Sequence, residues 1–295
     1  MIGATTFEGL FADAGVRGWV HAVPVAGPDT EAGRDPDTPV VMASVYKLPV
    51  MVTFCRSVDA GHLDPTEQVT LAPENRTPGP TGVSQFLDPV RISLRDAVRS
   101  MMAVSDNAAA DEVLRRVGVD RVNETMRTLG LGSTRVLGGT ADTLRTLVDD
   151  TGTDSPAAAF ARIGDNDSVV FPSGYDPVLS SATTPRDMTT LLSAVWSGAA
   201  ASPEQTAFMR TVMSSQVFTA RLRSGFPYGD VVVAGKTGTL GAIRNEVGVI
   251  EFPDGDAFAV AVFTRAARAD PLLPSADAAI GRAARAAIAE LRRLG

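Results

Sequence analysis

The sequence predicts a mixed α/β fold, in which both ends of the chain form one α/β domain and an all-helical domain is inserted between them. Three observations support this prediction: strand-like segments near the N-terminus, further strand-like segments in the last third, and helical patterns in the middle. The predicted α/β domain takes residues 1–45 and 200–295, and the predicted insertion takes residues 46–199. A chain of 295 residues is long enough to bury a large core in one domain or two.

The first elements follow from apolar patterning. Gly18–Val25 is rich in apolar residues and predicts a strand. Ser44–Ala60 predicts a helix that is almost wholly apolar after Lys47, so this helix should be buried. Residues 65–90 predict a loop, with a strong turn signal at the Pro-Gly-Pro-Thr-Gly run of residues 78–82.

The middle of the chain is predominantly helical in pattern. Helices are predicted over Ser93–Met102, Asn107–Val117, Val119–Leu129 and Thr184–Trp196. The long segment Gly138–Ser181, by contrast, is rich in Gly, Pro, Asp, Ser and Thr and is expected to be mostly irregular. A long irregular segment in a compact domain is often a lid or a binding loop.

The last third changes to strand-like patterns. Strands are predicted at Val231–Ala234, Glu246–Phe252 and Ala257–Thr264, and the turn at residues 253–256 should join the last two as a hairpin. One apolar face then predicts a final helix, and it consists of Ile280, Ala284, Ala287, Ile288 and Leu291.

Composition excludes several classes of protein. The net charge of −7 argues against a broad basic surface for nucleic acid or for an anionic membrane. The one cysteine, Cys55, excludes an internal disulfide and lies in an apolar run, as an inert buried thiol would. His21 and His62 are isolated and lack spaced carboxylates, so neither a metal site nor a Ser–His–Asp triad is expected. No cofactor is expected.

The N-terminal residues contain neither the basic region nor the apolar region of a secretory signal. The longest uncharged stretch, residues 188–203, is too polar to span a membrane. We therefore expect a soluble protein, cytoplasmic as written and secreted or periplasmic if a leader has been removed. A monomer is the default expectation.

Lysine is rare in this chain. Of the 27 basic residues 25 are arginine, and the two lysines are Lys47 and Lys236. Arginine supplies positive charge on a surface but cannot lose its proton in a protein. Each lysine is therefore a candidate for a site that needs a compact ammonium or a neutral amine.

The first candidate motif is Ser44-Val45-Tyr46-Lys47. Residues three apart share one face of a helix, so the serine hydroxyl and the lysine amine can approach each other. A neutral amine could then take the hydroxyl proton. The ordinary alternative is a helix-capping serine followed by a lysine in the first turn.

The second motif is Ser105-Asp106-Asn107, at the junction of two predicted helices. Its hydroxyl could relay a proton, and its asparagine amide could hold a substrate amide. Ser, Asp and Asn are also the preferred N-cap residues, so a simple cap is the alternative.

The third motif is Lys236-Thr237-Gly238-Thr239, which follows an apolar strand. An ammonium group, hydroxyls and exposed strand amides suit an anionic substrate and a developing oxyanion. Gly238 would allow another group to approach the backbone. A phosphate-binding loop is excluded because the glycine it needs is replaced by Asp230, and because turn and strand follow instead of a helix.

Together, the three motifs occur in the order S-x-x-K, S-D-N and K-T-G, and both lysines lie within them. In this set the chain resembles the penicillin-recognising serine enzymes, and most of all the class A β-lactamases. The resemblance extends from about residue 8 to the C-terminus and includes residues 58–61 and 183–185. It implies a β-lactamase-like fold, with an antiparallel sheet flanked by helices and an inserted all-helical domain.

The resemblance also implies roles for the motif residues. Ser44 would be the nucleophile, Lys47 a base for acylation, and Ser105 a proton shuttle to the leaving group. The backbone amides of Ser44 and Thr239 would form the oxyanion hole. Lys236 completes this catalytic set.

The resemblance assigns substrate binding to a second group of residues. Asn107 would bind the side-chain amide of the substrate. Lys236, Thr237 and Thr239 would hold the substrate carboxylate. Arg244 resembles the family's additional carboxylate-binding arginine.

One departure from the family is clear. Class A β-lactamases carry a glutamate that positions the deacylating water, whereas this chain has no glutamate between Glu124 and Glu204. Thr140 or Asp142 lies nearest the expected position, and Asp142 is a possible substitute. This departure predicts poor turnover of β-lactams.

The predicted function is therefore a serine acyl-enzyme hydrolase that acts on an amide, lactam or ester with a nearby carboxylate. The partner expected is a small-molecule or peptide-like acyl substrate. Three versions remain open: an unusual β-lactamase, a DD-peptidase or related amidase, and a transacylase. A non-catalytic ligand-binding protein that is acylated once is the alternative of another class.

Overall fold

A computed structural model describes residues 4–27, 29–165, 167 and 170–294. The α-helices are α1 (Ala4–Asp13), α2 (Lys47–Asp59), α3 (Leu94–Ala103), α4 (Asn107–Val117), α5 (Val119–Thr128), α6 (Thr140–Thr151), α7 (Pro156–Gly164), α8 (Pro185–Ser197), α9 (Pro203–Ser214), α10 (Leu222–Gly225) and α11 (Pro274–Leu294). The strands are β1 (Val16–Pro24), β2 (Ala32–Arg34), β3 (Val40–Val41), β4 (Gln68–Leu71), β5 (Val90–Ser93), β6 (Ala182–Thr183), β7 (Val232–Leu240), β8 (Ile243–Glu251) and β9 (Ala257–Ala266). Short 3₁₀ helices span Ala43–Tyr46, Pro73–Asn75, Gly82–Gln85 and Ser173–Tyr175.

The main sheet has five strands in the order β2-β1-β9-β8-β7. Every neighbouring pair in it is antiparallel. The two N-terminal strands and the three C-terminal strands therefore share one sheet, and β8 and β9 form the predicted hairpin. The predicted antiparallel sheet flanked by helices is confirmed.

Both faces of this sheet are buried. On one face, Phe11 of α1 and Ile280 of α11 belong to one apolar cluster with Val260 of β9. On the other face, Val247 of β8 belongs to a cluster that is centred on the helices and includes Met51 of α2. Helix α8 packs against β1, β8 and β9 on this second face. The division into an α/β domain and a helical insertion remains a prediction.

Helix α2 is buried along most of its length, as the sequence predicts. It begins at Lys47, immediately after the 3₁₀ turn Ala43–Tyr46. Pro49 is its third residue, where the missing N–H removes no intrahelical hydrogen bond. The helix therefore anchors the turn that carries Ser44 in the apolar core.

The prediction that Gly138–Ser181 is mostly irregular is wrong, because helices α6 and α7 lie within it. In α6 only Leu147 is buried, so the helix lacks the repeated apolar positions from which it could be recognised. The loop predicted over residues 65–90 likewise contains β4, which pairs with β5. Residues 166, 168 and 169 lie outside the described residues.

Among the described residues, no helix combines the length and the apolar character needed to cross a membrane.

Candidate active site

A cleft of about 820 Å³ brings the three sequence motifs together. We call it the main cleft, and residues from each motif line it: Ser44, Ser105, Asn107, Thr237 and Thr239. The first residues of α6 and residues 78–81 form other parts of its wall. Motifs that are about 60 and 130 residues apart in the chain therefore meet in one place.

The turn that carries Ser44 packs directly against strand β7. The preceding residue, Ala43, has a left-handed backbone with φ of 45°. A Cβ atom added to Gly238 would lie 2.5 Å from the Met42 carbonyl oxygen and 3.1 Å from Val45. Only glycine fits this approach, as the sequence predicts, because any side chain would push β7 away from the serine.

Lys47 is fully buried and points toward the Ser105–Asn107 motif. Its Nζ donates to the Ser105 carbonyl oxygen at 2.7 Å, to Asn107 Oδ1 at 2.9 Å and to Ser105 Oγ at 3.3 Å. Burial lowers the pKa of Lys47 to about 7, although the charges of Asp111 and Asp106 act in the opposite direction. Near neutral pH a large fraction of this amine is therefore unprotonated.

Lys236 approaches the same hydroxyl group from β7. Its Nζ donates to Ser105 Oγ at 3.0 Å and to the Thr237 carbonyl oxygen at 2.8 Å. Burial holds the pKa of Lys236 well below its ordinary value, and the positive charges of Lys47 and Arg221 lower it further. The Ser105 hydroxyl thus lies within hydrogen-bond distance of two buried amines.

The Ser105–Asn107 motif occupies the start of α4. Ser105 has a left-handed backbone with φ of 58°, which is unusual for a residue with a side chain. Asp106 is the N-cap of α4, as the local interpretation of this motif predicts. Its buried carboxylate accepts hydrogen bonds from the backbone N–H groups of Val83 and Ala109 and from the hydroxyls of Ser84 and Ser100.

Strand β7 is an edge strand of the main sheet, so alternate N–H groups point away from β8. The Thr237 N–H donates to Gln216 Oε1 at 2.8 Å and therefore points away from β8. Thr239 lies two residues further and presents its own N–H on the same side. The Thr239 hydroxyl accepts a hydrogen bond from Arg221 at 2.8 Å.

Arg221, which the sequence interpretation missed, reaches the main cleft, whereas Arg244 does not line it. The Arg244 side chain is buried and donates to the carbonyl oxygens of Ile243 at 3.0 Å and Asp270 at 2.7 Å. Arg221 pairs with Asp277 at 2.6 Å. Arg221 belongs to none of the three motifs, so the sequence gives no signal for it. The fold brings its side chain to β7.

Asp142 lies near the main cleft but does not face it. Its side chain is exposed, and its Oδ2 accepts a hydrogen bond from the Gly139 N–H at the start of α6, at 2.9 Å. Its other oxygen pairs with Arg145 at 3.2 Å. Thr140, in contrast, lines the cleft and hydrogen-bonds the Tyr46 hydroxyl at 3.0 Å.

Asp111 is a second residue that the sequence interpretation missed. It accepts the N–H groups of Thr140 at 2.7 Å and Ala141 at 2.8 Å, and the hydroxyl of Thr77 at 2.5 Å. It lies one helical turn after Asn107, so both side chains share a face of α4. This spacing is the signal from which Asp111 could have been found. Its carboxylate holds the start of α6 against the site.

No group of three or more His, Cys, Asp or Glu side chains that could hold a metal ion occurs in the described ranges. His21 is buried, hydrogen-bonds Thr189 at 2.7 Å and contacts Glu31 at 3.3 Å. It lies on β1, outside the main cleft.

The fold and the meeting of the three motifs in the main cleft are typical of the class A β-lactamases. The family model described as the Beta-lactamase enzyme family matches residues 4–291, and the chain belongs to this family. The resemblance inferred from the motifs is confirmed. Membership supports a serine acyl-enzyme hydrolase at the level of the family.

Individual relatives agree with this assignment. The chain is 30% identical over 279 residues to the β-lactamase regulatory protein BlaB of Streptomyces cacaoi, with 86% of each chain covered. Its fold is similar to that of PBP-A, with a TM-score of 0.77 at 18% identity over 98% of this chain and 97% of that one. It is also similar to a β-lactamase from Sphaerobacter thermophilus DSM 20745, with a TM-score of 0.76 at 24% identity over 97% and 96% of the chains.

Proposed function

We propose that Ser44 is acylated by a lactam, amide or ester that carries a nearby carboxylate, and that the acyl group is released to water only slowly. The observation that carries this proposal is the combination of two buried lysines around the Ser105 hydroxyl with a cleft wall at Thr140 that has no carboxylate. The two buried lysines favour acylation of Ser44. The absence of a carboxylate from the cleft wall at Thr140 disfavours hydrolysis of the acyl-enzyme.

In the acylation step, neutral Lys47 takes the proton of the Ser44 hydroxyl, and Oγ bonds to the substrate carbonyl carbon. The carbon–nitrogen bond of a lactam or amide then breaks, and the leaving nitrogen takes a proton from the Ser105 hydroxyl. A protonated Lys47 or Lys236 returns that proton, because both amines are within hydrogen-bond distance of Ser105 Oγ. The proton count balances over the step.

Substrate binding follows from charge and from the free edge of β7. Lys236 donates to the Thr237 carbonyl oxygen and Arg221 donates to the Thr239 hydroxyl, so Arg221 and a protonated Lys236 would place positive charge beside a bound carboxylate. The Thr239 N–H, together with the Ser44 N–H, would stabilise the oxyanion that develops on the carbonyl oxygen. Asn107 lies in the cleft wall, where Oδ1 accepts from Lys47 and Nδ2 donates to the Pro78 carbonyl oxygen. The second hydrogen of Nδ2 would donate to a substrate amide.

Slow deacylation follows from where the carboxylates lie. Asp277 is the one acidic residue among the described residues that line the main cleft, and it is paired with Arg221. Asp111 lies behind Thr140 and its carboxylate is already occupied by several donors. A water molecule near Thr140 would therefore lack a free carboxylate base. This arrangement favours a DD-peptidase-like amidase or a transacylase over an efficient β-lactamase.

The test is intact-protein mass spectrometry over time with benzylpenicillin and with a cephalosporin, on the wild type and on Ser44→Ala. We expect an adduct that forms on the wild type, persists after free drug is removed, and is absent from Ser44→Ala. An adduct that clears while the drug is consumed would contradict slow deacylation. An adduct that also forms on Ser44→Ala would contradict the nucleophile.

The substitution Asp142→Asn should leave the adduct lifetime within about twofold of the wild type. Its carboxylate is exposed and caps α6, and asparagine also caps helices. The measurement is the same mass-spectrometric time course after free drug is removed. A lifetime at least tenfold longer in Asp142→Asn would instead identify Asp142 as the group that activates the deacylating water.

A further inference from the structure

A second cavity, of about 560 Å³, lies apart from the main cleft. Val41 of β3 is the residue that lines both spaces. The walls of the second cavity combine aromatic and positively charged side chains, among them Trp19, Phe263, Arg17 and Arg265. None of these four belongs to the catalytic or substrate-binding residues proposed above.

The register of β1 and β9 places these four side chains on one face of the sheet. Arg17 is directly opposite Arg265, and Trp19 is directly opposite Phe263. Opposite residues of an antiparallel pair share a face, and so do residues two apart on one strand. A pair of arginines thus lies beside a pair of aromatic rings at the same end of the sheet.

Neither arginine of this pair has an ion-pair partner among the described residues. Arg17 lies over the Trp19 ring at 4.9 Å from its centroid, and Arg265 lies over the Phe171 ring at 4.8 Å. Like charges directly opposite on neighbouring strands destabilise the pair. The protein therefore carries a local cost here that a bound anion would relieve.

Trp19 contributes a further unsatisfied group. Its indole Nε1 is buried and has no hydrogen-bond partner among the described residues. A buried donor without a partner is uncommon in folded proteins and costs free energy. The unpaired indole therefore adds a second local cost at this end of the sheet.

We propose that the second cavity binds an amphipathic organic anion, namely a carboxylate with an aromatic or aliphatic body. The carboxylate pairs with Arg17 and Arg265, whose guanidinium groups suit bidentate contacts. The apolar body packs against Trp19 and Phe263. This site is independent of acylation at Ser44.

The probe is 4-phenylbutyrate, and the readout is the fluorescence of Trp19 in a Trp196→Phe background. The chain has two tryptophans, so this background leaves Trp19 as the only indole. We expect a saturable change in Trp19 emission whose apparent Kd rises at least tenfold in Arg17→Gln/Arg265→Gln. The uncharged analogue 4-phenyl-1-butanol should bind at least tenfold more weakly than the carboxylate.

Two matched variants separate the second cavity from other sites. Arg91→Gln removes an exposed arginine of β5 and should leave the apparent Kd unchanged. Thr237→Val alters the main cleft and should also leave it unchanged. The proposal is overturned if no saturable change occurs, if Arg17→Gln/Arg265→Gln binds as the parent does, or if Thr237→Val abolishes the signal. Thermal unfolding of each variant verifies that the fold is retained.

Discussion

Replacement of Lys47 by methionine should lower the rate of Ser44 acylation by about 10³-fold, the size expected when a general base is removed. The Lys47 amine is buried, and its Nζ lies within hydrogen-bond distance of Ser105 and Asn107. Methionine fills a similar volume but has no basic nitrogen. The measurement is the rate of adduct formation with a chromogenic cephalosporin under single-turnover conditions.

If Lys47 is the base, the rate of Ser44 acylation should rise with pH. Burial lowers the pKa of Lys47 to about 7, and the neutral amine is the reactive form. The wild-type acylation rate should therefore rise about tenfold per pH unit below pH 7 and level off above it. In Lys47→Met this dependence should be lost, because the titrating amine is absent.

The variant Lys47→Arg distinguishes the loss of a neutral amine base from the loss of the positive charge. Lys47→Arg keeps a positive charge but cannot supply a neutral amine, so it should be as impaired as Lys47→Met. If Lys47→Arg or Lys47→Met acylates within tenfold of the wild type, Lys47 is not the base. Circular dichroism on both variants tests whether the fold is retained.

Replacement of Asp106 by alanine should destabilise the protein by about 3–5 kcal/mol, because it leaves several buried donors without a partner. The Asp106 carboxylate accepts the Val83 N–H at 2.7 Å and the Ser100 hydroxyl at 2.7 Å, besides capping α4. The measurement is the free energy of unfolding from urea denaturation, followed by circular dichroism.

Ser155→Ala is the matched control for this prediction. Ser155 caps α7 through one side-chain hydrogen bond, to the Ala158 N–H at 3.3 Å. Its loss should cost about 1 kcal/mol, the usual value for an N-cap. If Asp106→Ala is no more destabilised than Ser155→Ala, then Asp106 acts as an ordinary cap and does not hold the neighbouring loop.

The motifs could be located from the sequence because each is defined by short-range spacing. Ser44 and Lys47 are three residues apart at the start of an apolar helix, and helical geometry alone brings them to one face. The scarcity of lysine then marked Lys47 and Lys236 as unusual. The strands of the hairpin and helix α11 could also be predicted from the sequence, because their apolar residues repeat with the period of a strand or of a helix.

Helix α6 shows where local reasoning failed. Its polar residues and few buried positions resemble those of a loop, and its N-cap, Gly139, has no side chain that would mark the start of the helix. Asp142 was therefore considered for a catalytic role, whereas the structure shows it capping the helix. The charge of a carboxylate is visible in the sequence, but the direction in which it points is not.

Neighbouring residues and periodicity were sufficient to predict the buried helix α2, the hairpin of β8 and β9 and the three motifs, but not β4, α6 and α7. The complete fold was needed to show that Arg221 reaches the main cleft, that Asp111 holds the start of α6, and that Arg17 faces Arg265. These contacts join residues that are distant in the chain. Their partners depend on strand register and helix packing, which are properties of the whole fold and not of any short segment.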